Sequence, residues 1–236
     1  MQIDLITIFP EMFPGRLGSS IIKRAQESGA VRLHVHDLRA YTHDKRRTVD
    51  DRPYGGGPGM IMKPEPIFEA VEDIRKVPSG DSKAAKIVLM APAGEPLSTS
   101  VAEELARADR LIIICGHYEV VDERVRTALV DRTISIGDYV LTGGELPAMV
   151  LIDCIARFVP GVIGHAQATE EESFAGGWLE YPQYTRPPVF RNLEVPEVLR
   201  SGDHEQIAQW RKLQSVARTM VLRPDLVNCS SKNSST

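Results

Sequence analysis

The sequence predicts an α/β fold, a parallel sheet with helices on both faces, followed by a small helical C-terminal domain. Three observations carry this expectation. Short apolar runs alternate with helical patterns through the first two thirds of the chain, which is the signature of a sheet covered on both sides. The 236 residues are 42% hydrophobic and 25% charged, an ordinary globular composition, long enough to bury a core without disulfide or metal staples. After Pro160 the texture changes to Gly, Pro, Glu and Tyr without clear periodicity.

The elements follow in order. Ile3 to Phe9, Val31 to Val35, Lys86 to Met90, Leu111 to Cys115 and Thr133 to Ile136 read as strands, several apolar on both faces. Between them Ser20 to Glu27, Glu65 to Arg75, Thr99 to Ala108 and Asp122 to Val130 read as helices. Thr142 to Gly144 offers a helix start, with Pro147 in the first turn, where a missing N–H is harmless. The helix from Leu146 to Phe158 is apolar on most sides and is expected to be buried against the sheet, a partner subunit, or both. It ends at Pro160-Gly161. Ser201 and Asp203 precede a last helical pattern with Ile207, Trp210, Leu213, Val216, Ala217 and Met220 on one stripe. These patterns divide the chain into an α/β domain over 1–160, a flexible linker over 161–175, a helical domain over 176–227 and a polar tail over 228–236.

Charge and motif arithmetic narrows the chemistry. Lys+Arg 28 against Asp+Glu 32 leaves −4, which excludes a uniformly basic coat but leaves room for a local basic face. Cys115, Cys154 and Cys229 are far apart and form no CxxC, so neither a disulfide framework nor a zinc knuckle is predicted. The start of the chain lacks a secretory pattern, and the apolar stretch from Leu146 carries Asp153 and Arg157 and is too short for a bilayer. A reducing cytoplasm and no membrane contact are expected. There is no GxGxxG, no Gly-Lys of a phosphate loop, no GxSxG, and His204-Glu205 lacks the second histidine of a zinc protease. His34 and His36 share a strand face, where a polar strand edge is favoured over a metal site.

Two glycine-dense segments stand out. Asp50 to Met60 holds Gly55, Gly56, Gly57 and Gly59, just downstream of Lys45, Arg46 and Arg47. It is either a floppy surface loop or a loop that orders over a phosphate or nucleoside. The second, Ser135 to Pro147, lies between a strand and the buried helix. Ligands of α/β sheets sit beyond the carboxyl ends of strands, where turns expose backbone N–H and C=O groups. Three such turns follow apolar strands: Met90 to Gly94, Cys115 to Glu119, and Ser135 onward. A helix-entry turn explains any one of them, but three together favour a pocket for a flat ring held between backbone groups and apolar walls.

At this level of detail the chain resembles a known family. Thr42-His43-Asp44, Thr48 to Met60, Ser135 to Pro147, Arg157 to Val162 and Tyr184-Thr185-Arg186-Pro187 are similar to the bacterial tRNA (guanine(37)-N1)-methyltransferases, the TrmD family of SPOUT methyltransferases. The resemblance runs in order from residue 1 to about Val227. It implies a sheet that ends in a deep trefoil knot, which no periodicity argument could produce. It also implies S-adenosylmethionine as cofactor, S-adenosylhomocysteine as product, tRNA with guanosine 37 as partner, and a homodimer with active sites at the subunit interface. Carried onto this chain, the cofactor walls are Leu89, Met90, Ala91 and Pro92, then Gly116, Tyr118 and Glu119, then Ile136, Gly137, Asp138, Tyr139, Val140 and Leu141, with Gly143, Gly144 and Pro147 beneath. Magnesium dependence is a further family implication, and no dedicated ligand cluster is visible in the sequence.

The chemistry asks for two more groups. Methyl transfer from a sulfonium needs a lone pair, yet guanine N1 carries a proton, so a base must take it and a cation should stabilise charge on O6. By position in the family motif Arg157 is that cation; without the family, a cation at a helix C-terminus explains it as well. The family's base is an aspartate in the segment between the domains, where this chain has Glu170, Glu171 and Glu172 and no aspartate. Ungapped alignment to Phe174 places Glu172 at the base position, and Glu170 and Glu171 read as a solvated acidic run. The extra methylene of glutamate matters, because a misplacement of about 1 Å can cost roughly a hundredfold in rate. The family's usual glycine is Val120 here, and His117 replaces an arginine of some members. Phosphate contacts are expected from Arg46, Arg52, Arg186, Arg211, Lys212 and Arg218, with Tyr181 or Tyr184 stacking on a base splayed from the anticodon loop. Two rival readings are a knotted methyltransferase acting on another atom or RNA, and an RNA-binding module that has lost catalysis.

Overall fold

A computed structural model of the chain describes residues 1–77, 85–164 and 172–230. It divides into two compact units, Met1–Gly164 and His165–Thr236. The first unit begins with β1 (Gln2–Thr7), α1 (Phe13–Leu17), α2 (Ser20–Glu27) and β2 (Arg32–Asp37). A small hairpin of β3 (Asp50–Asp51) and β4 (Ile61–Met62) leads to α3 (Pro64–Lys76). Then come β5 (Lys86–Pro96), α4 (Thr99–Ala106), β6 (Arg110–Cys115), β7 (Val120–Val121), α5 (Glu123–Ala128), β8 (Arg132–Ser135) and α6 (Glu145–Ala156).

The five expected strands form one parallel sheet in the order β2-β1-β6-β5-β8. Alternation along each strand supplies both faces. Ile3, Leu5, Leu111, Ile113, Val88 and Met90 join a core with α1, α2, α4 and α6. Ile6, Ile112, Ile114, Ile87 and Leu89 join a second core with α3 and α5. Both faces are therefore apolar, as the near-continuous runs in β5 and β6 require. Full burial of side chains this size is worth about 1.5–3 kcal/mol each before chain entropy is charged against it.

Boundaries match the sequence reading within a few residues, except at β5. Met90 pairs with Ile134, the next four residues leave the ladder, and Glu95 meets Ile134 again before Pro96 pairs with Ser135. Pro92 in that excursion has no N–H to donate. The short α1 and the strands of two residues were not expected, because such elements are too brief to show a period. His34 and His36 lie on the edge strand β2, where His36 Nε2 is 2.9 Å from the buried Asp4 carboxylate. No group of three metal-ligating side chains occurs among the described residues.

The second unit carries the hairpin β9 (Val189–Phe190) and β10 (Leu193–Glu194), then α7 (His204–Leu222) and α8 (Pro224–Ser230). Asp203 caps α7, its carboxylate accepting from the Glu205 and Gln206 N–H groups. The stripe expected to be apolar core is only partly so: Ile207, Trp210 and Val216 are half-buried, whereas Leu213, Ala217 and Met220 are exposed. Polar anchors do more here. Ser215 Oγ donates to the Leu179 carbonyl at 2.5 Å, and the buried Thr219 Oγ1 accepts from the Leu179 N–H at 2.9 Å. Residues 165–171, within the expected linker, and 231–236, within the expected tail, lie outside the described residues; α8 covers the start of that tail.

Candidate active site

Parallel strands bring their carboxyl ends to one edge of the sheet, so turns far apart in sequence meet there. Three do so: the β5 excursion at Ala91–Gly94, residues 116–119 after β6, and residues 136–144 after β8. The Gly144 N–H donates to the Gly116 carbonyl at 2.7 Å, and His117 and Gly143 form a bridge beside it. This approach needs glycine. A Cβ on Gly144 would sit 2.7 Å from the Gly116 nitrogen and 2.9 Å from Cys115 Cα, both backbone atoms. The third turn is braced by Ser135, whose Oγ donates to the Gly137 carbonyl and accepts from the Gly137 N–H.

Between the turns lies a cavity of about 210 Å³. Of the wall residues expected from the sequence, Leu89, Met90, Ala91, Pro92, Gly116, Tyr118, Glu119, Ile136, Gly137, Tyr139, Val140, Leu141, Gly143, Gly144 and Pro147 line it. Asp138 is exposed in the same turn and does not. His117, Ser135, Ala93 and Thr142 also line it, inside the segments singled out in the sequence but outside the expected wall set, while sequence reasoning missed Val121, Glu123, Arg126, Thr133 and Ile134 and gave Val120 no wall role. Glu123 and Arg126 stand one turn apart on α5 and form an ion pair at the cavity, with Arg126 Nε donating to Glu123 Oε1 at 2.8 Å. Their spacing of three was visible, but only the fold shows that this helix face meets the pocket.

The second wall is tied to the glycine-rich hairpin. Tyr118 takes a left-handed backbone conformation (φ 60°), and its phenol engages the Asp50 carboxylate and the Arg39 guanidinium. Burial, then the Asp50 charge, pushes that phenol above its ordinary value. The Glu119 N–H donates to the Met60 carbonyl, and its side chain lies against Gly59. Asp50 to Met60 is thus a hairpin whose base abuts the cavity wall and whose tip exposes Tyr54. Beneath the turns Cys115 is fully buried, its thiol pushed well up by burial and by the charge of Glu145. The cavity combines apolar walls, backbone polar groups and three carboxylate or guanidinium side chains, a set suited to a flat polar ring bearing hydroxyl or charged substituents.

Arg157 caps the C-terminus of α6 and is half-buried in the first unit; Glu172 is half-buried in the second, its carbonyl accepting from the Ala175 N–H. In the loop before β3, Asp44 accepts from the Arg46 and Thr48 N–H groups, leaving the side chains of Arg46 and, further on, Arg52 exposed. In the second unit Arg186, Arg211, Lys212 and Arg218 are exposed, and the Arg211 guanidinium lies 4.7 Å from the centre of the Tyr181 ring.

A family profile described as tRNA (Guanine-1)-methyltransferase TrmD matches residues 1–229. A tRNA (guanine-N(1)-)-methyltransferase of Moorella thermoacetica is 60% identical over 227 residues, covering 96% of this chain and 90% of that protein. Proteins of the same description from Pelotomaculum thermopropionicum and Dictyoglomus turgidum are 55% identical over 227 residues and 52% identical over 231. They cover 96% and 98% of this chain, and 90% and 91% of their own lengths.

Proposed function

The chain belongs to the tRNA (guanine-1)-methyltransferase TrmD family, and from that premise we propose that it methylates N1 of guanosine 37, beside the anticodon of tRNA, with S-adenosylmethionine as donor. The observation that carries this reading is the convergence of three strand-end turns on one cavity. The residues there suit the donor. Leu89, Ile136, Leu141 and Pro147 offer apolar walls for a purine, the turns offer backbone donors and acceptors for its edge, and Glu119, Glu123 and Arg126 offer partners for hydroxyl, ammonium and carboxylate groups.

When bound, S-adenosylmethionine supplies an electrophilic methyl carbon on a sulfonium. The chain's own residues do the rest. Glu172 accepts the N1 proton of guanine, which frees the ring lone pair for attack. Arg157 stabilises the negative charge that then develops on O6. Arg46, Arg52, Arg186, Arg211, Lys212 and Arg218 contact phosphates and position the anticodon stem-loop. Magnesium, implied by the family, has no dedicated ligand cluster among the described residues. Leu146 and Val150, one turn apart on α6, stay exposed although most of the helix is apolar and buried, which supports a homodimer with active sites at the subunit interface. A tRNA substrate supports a cytoplasmic location, and no described helix is long and apolar enough to cross a membrane.

Single-turnover incubation with unmodified tRNA and the donor, followed by nucleoside analysis, tests the reading. The expected product is 1-methylguanosine, lost when position 37 is changed to adenosine. A methyl group on another atom or nucleotide, or tight tRNA binding without transfer, overturns it in favour of one of the two rival readings.

A further inference from the structure

Behind the cavity wall lies a polar pair that the proposed chemistry leaves unused. Glu145, the first residue of α6, is 2% exposed, and its Oε1 accepts from Thr7 Oγ1 at 2.8 Å. Its other oxygen is 3.9 Å from His117 Nδ1. That nitrogen is, among the described residues, the one buried side-chain nitrogen or oxygen without a hydrogen-bond partner. The two groups meet directly behind Gly143, where a Cβ would come within 2.3 Å of Glu145 Oε2 and 2.5 Å of His117 Nδ1. Both His117 and Gly143 line the cavity.

The imidazole has little freedom to turn away. Phe9 and Tyr118 pack on it edge-on, with ring centres 5.0 and 5.1 Å away. The His117 N–H is directed at Met62 Sδ at 3.0 Å, and the bridge to Gly143 fixes the backbone on the other side. An ionised carboxylate only accepts, so its charge at 3.9 Å, longer than a hydrogen bond, favours the proton on the ring nitrogen that faces it. The second nitrogen then holds a lone pair. We propose that His117 is a positioning residue of the donor site, held by Glu145 with its proton on Nδ1 so that Nε2 accepts a hydrogen bond at the cavity wall. Glu145 acts through His117, as an orienting carboxylate acts on a histidine in other sites. The pair carries one net negative charge while Nε2 is unprotonated, which suits a sulfonium ligand; a second proton on the ring removes both the acceptor and that net charge.

This inference rests on the donor reading above and is tested by binding, not turnover. The other titratable group packed on the ring is Tyr118; Cys115 and Glu119 flank His117 along the chain, and the Tyr118 phenol and Cys115 thiol are both pushed up and so neutral below their ordinary ranges. The dissociation constant of S-adenosylmethionine is measured by calorimetry from about pH 5.5 to 8.5, a range that brackets the ordinary histidine value. In the unaltered protein affinity falls with pH below a midpoint, approaching about tenfold per pH unit for one linked proton. S-Adenosylhomocysteine, which lacks the sulfonium charge, falls less steeply. H117Q keeps an amide near the Nε2 position that does not titrate, and its affinity varies less than about threefold across the range. E145Q leaves the ring without its orienting carboxylate, and its affinity for S-adenosylmethionine at pH 8 falls by at least about threefold. An unaltered slope in H117Q, or equal affinities of E145Q and the unaltered protein at pH 8, overturns the inference; if E145Q does not fold, H117Q alone decides. Absence of binding by the unaltered protein at every pH overturns the donor reading with it.

Discussion

Guanine N1 is protonated at neutral pH, so the reaction needs a base, the role proposed for Glu172. Removing only the charge of Glu172, as E172Q, is expected to slow single-turnover methylation by about 10²–10⁴-fold, the range of general-base catalysis. Donor affinity measured by calorimetry should stay within about twofold, since the base acts on guanine and not on the donor. Equal rates for E172Q and the unaltered enzyme would remove Glu172 from the mechanism. At this scale a motif could align a residue with a proposed role, as for Arg157. The sequence placed His117 and Glu145 in two strand-end segments but gave no sign that they meet. Residues 117 and 145 belong to different turns, and only folding brings Nδ1 to 3.9 Å from a carboxylate that burial has taken from water.

Among elements, the close packing of the turn after β6 against the start of α6 decides whether a cavity exists. Gly144→Ala puts a methyl group 2.7 Å from one backbone atom and 2.9 Å from another, so the turns must separate. Overpacking of this kind costs about 1–3 kcal/mol, which lowers Tm by roughly 2–4 °C per kcal/mol in a chain this size. Donor affinity should fall with it. Gly15→Ala in α1, where nothing lies within 4 Å, should leave donor affinity unchanged and raise Tm slightly, because alanine favours the helix over glycine. Calorimetric unfolding and donor titration of the two variants check this; an unaltered Tm and affinity in the Gly144 variant would show that the contact is dispensable. The helix Ser20–Glu27 and all five strands of the sheet were legible, because each has a periodic apolar pattern of sufficient length. The excursion in β5 was not, since leaving and rejoining a ladder depends on what β8 presents opposite it.

For the molecule as a whole, the charges buried in the sheet set how stability varies with pH. Asp4 on β1 is 2% exposed and Arg110 on β6 is 4% exposed; Arg110 Nε donates to Asp4 Oδ2 at 2.8 Å, and His36 on β2 meets the other oxygen. Burial pushes the Asp4 carboxyl up, but hydrogen bonds from His36 and Arg110 and the charge of Arg110 outweigh it and hold it below the ordinary value. A carboxyl depressed in the folded state contributes stability above its unfolded value, about 3.9, and loses it as pH falls through the folded value. Urea unfolding should therefore show stability dropping below about pH 4. Asp4→Asn should be less stable at neutral pH by about 3–5 kcal/mol, because Arg110 is left buried and unpaired, and its acid drop should be shallower. An equally steep drop in the variant would assign acid sensitivity to other groups.

Local pattern was enough to specify a parallel α/β sheet, its five strands, and three small-residue turns fit for a ligand, because strand and helix periods repeat within a few residues. Long motifs were enough to indicate the family. Tertiary structure decided that these turns converge, that α5 lends Glu123 and Arg126 to the cavity, and that His117 stands over Glu145. It also decided that α7 is held by Ser215 and Thr219 while part of its apolar stripe stays exposed. The physical reason is distance along the chain: strand order β2-β1-β6-β5-β8 closes contacts between residues a hundred or more positions apart, as between Thr7 and Glu145, and no local period encodes such a contact.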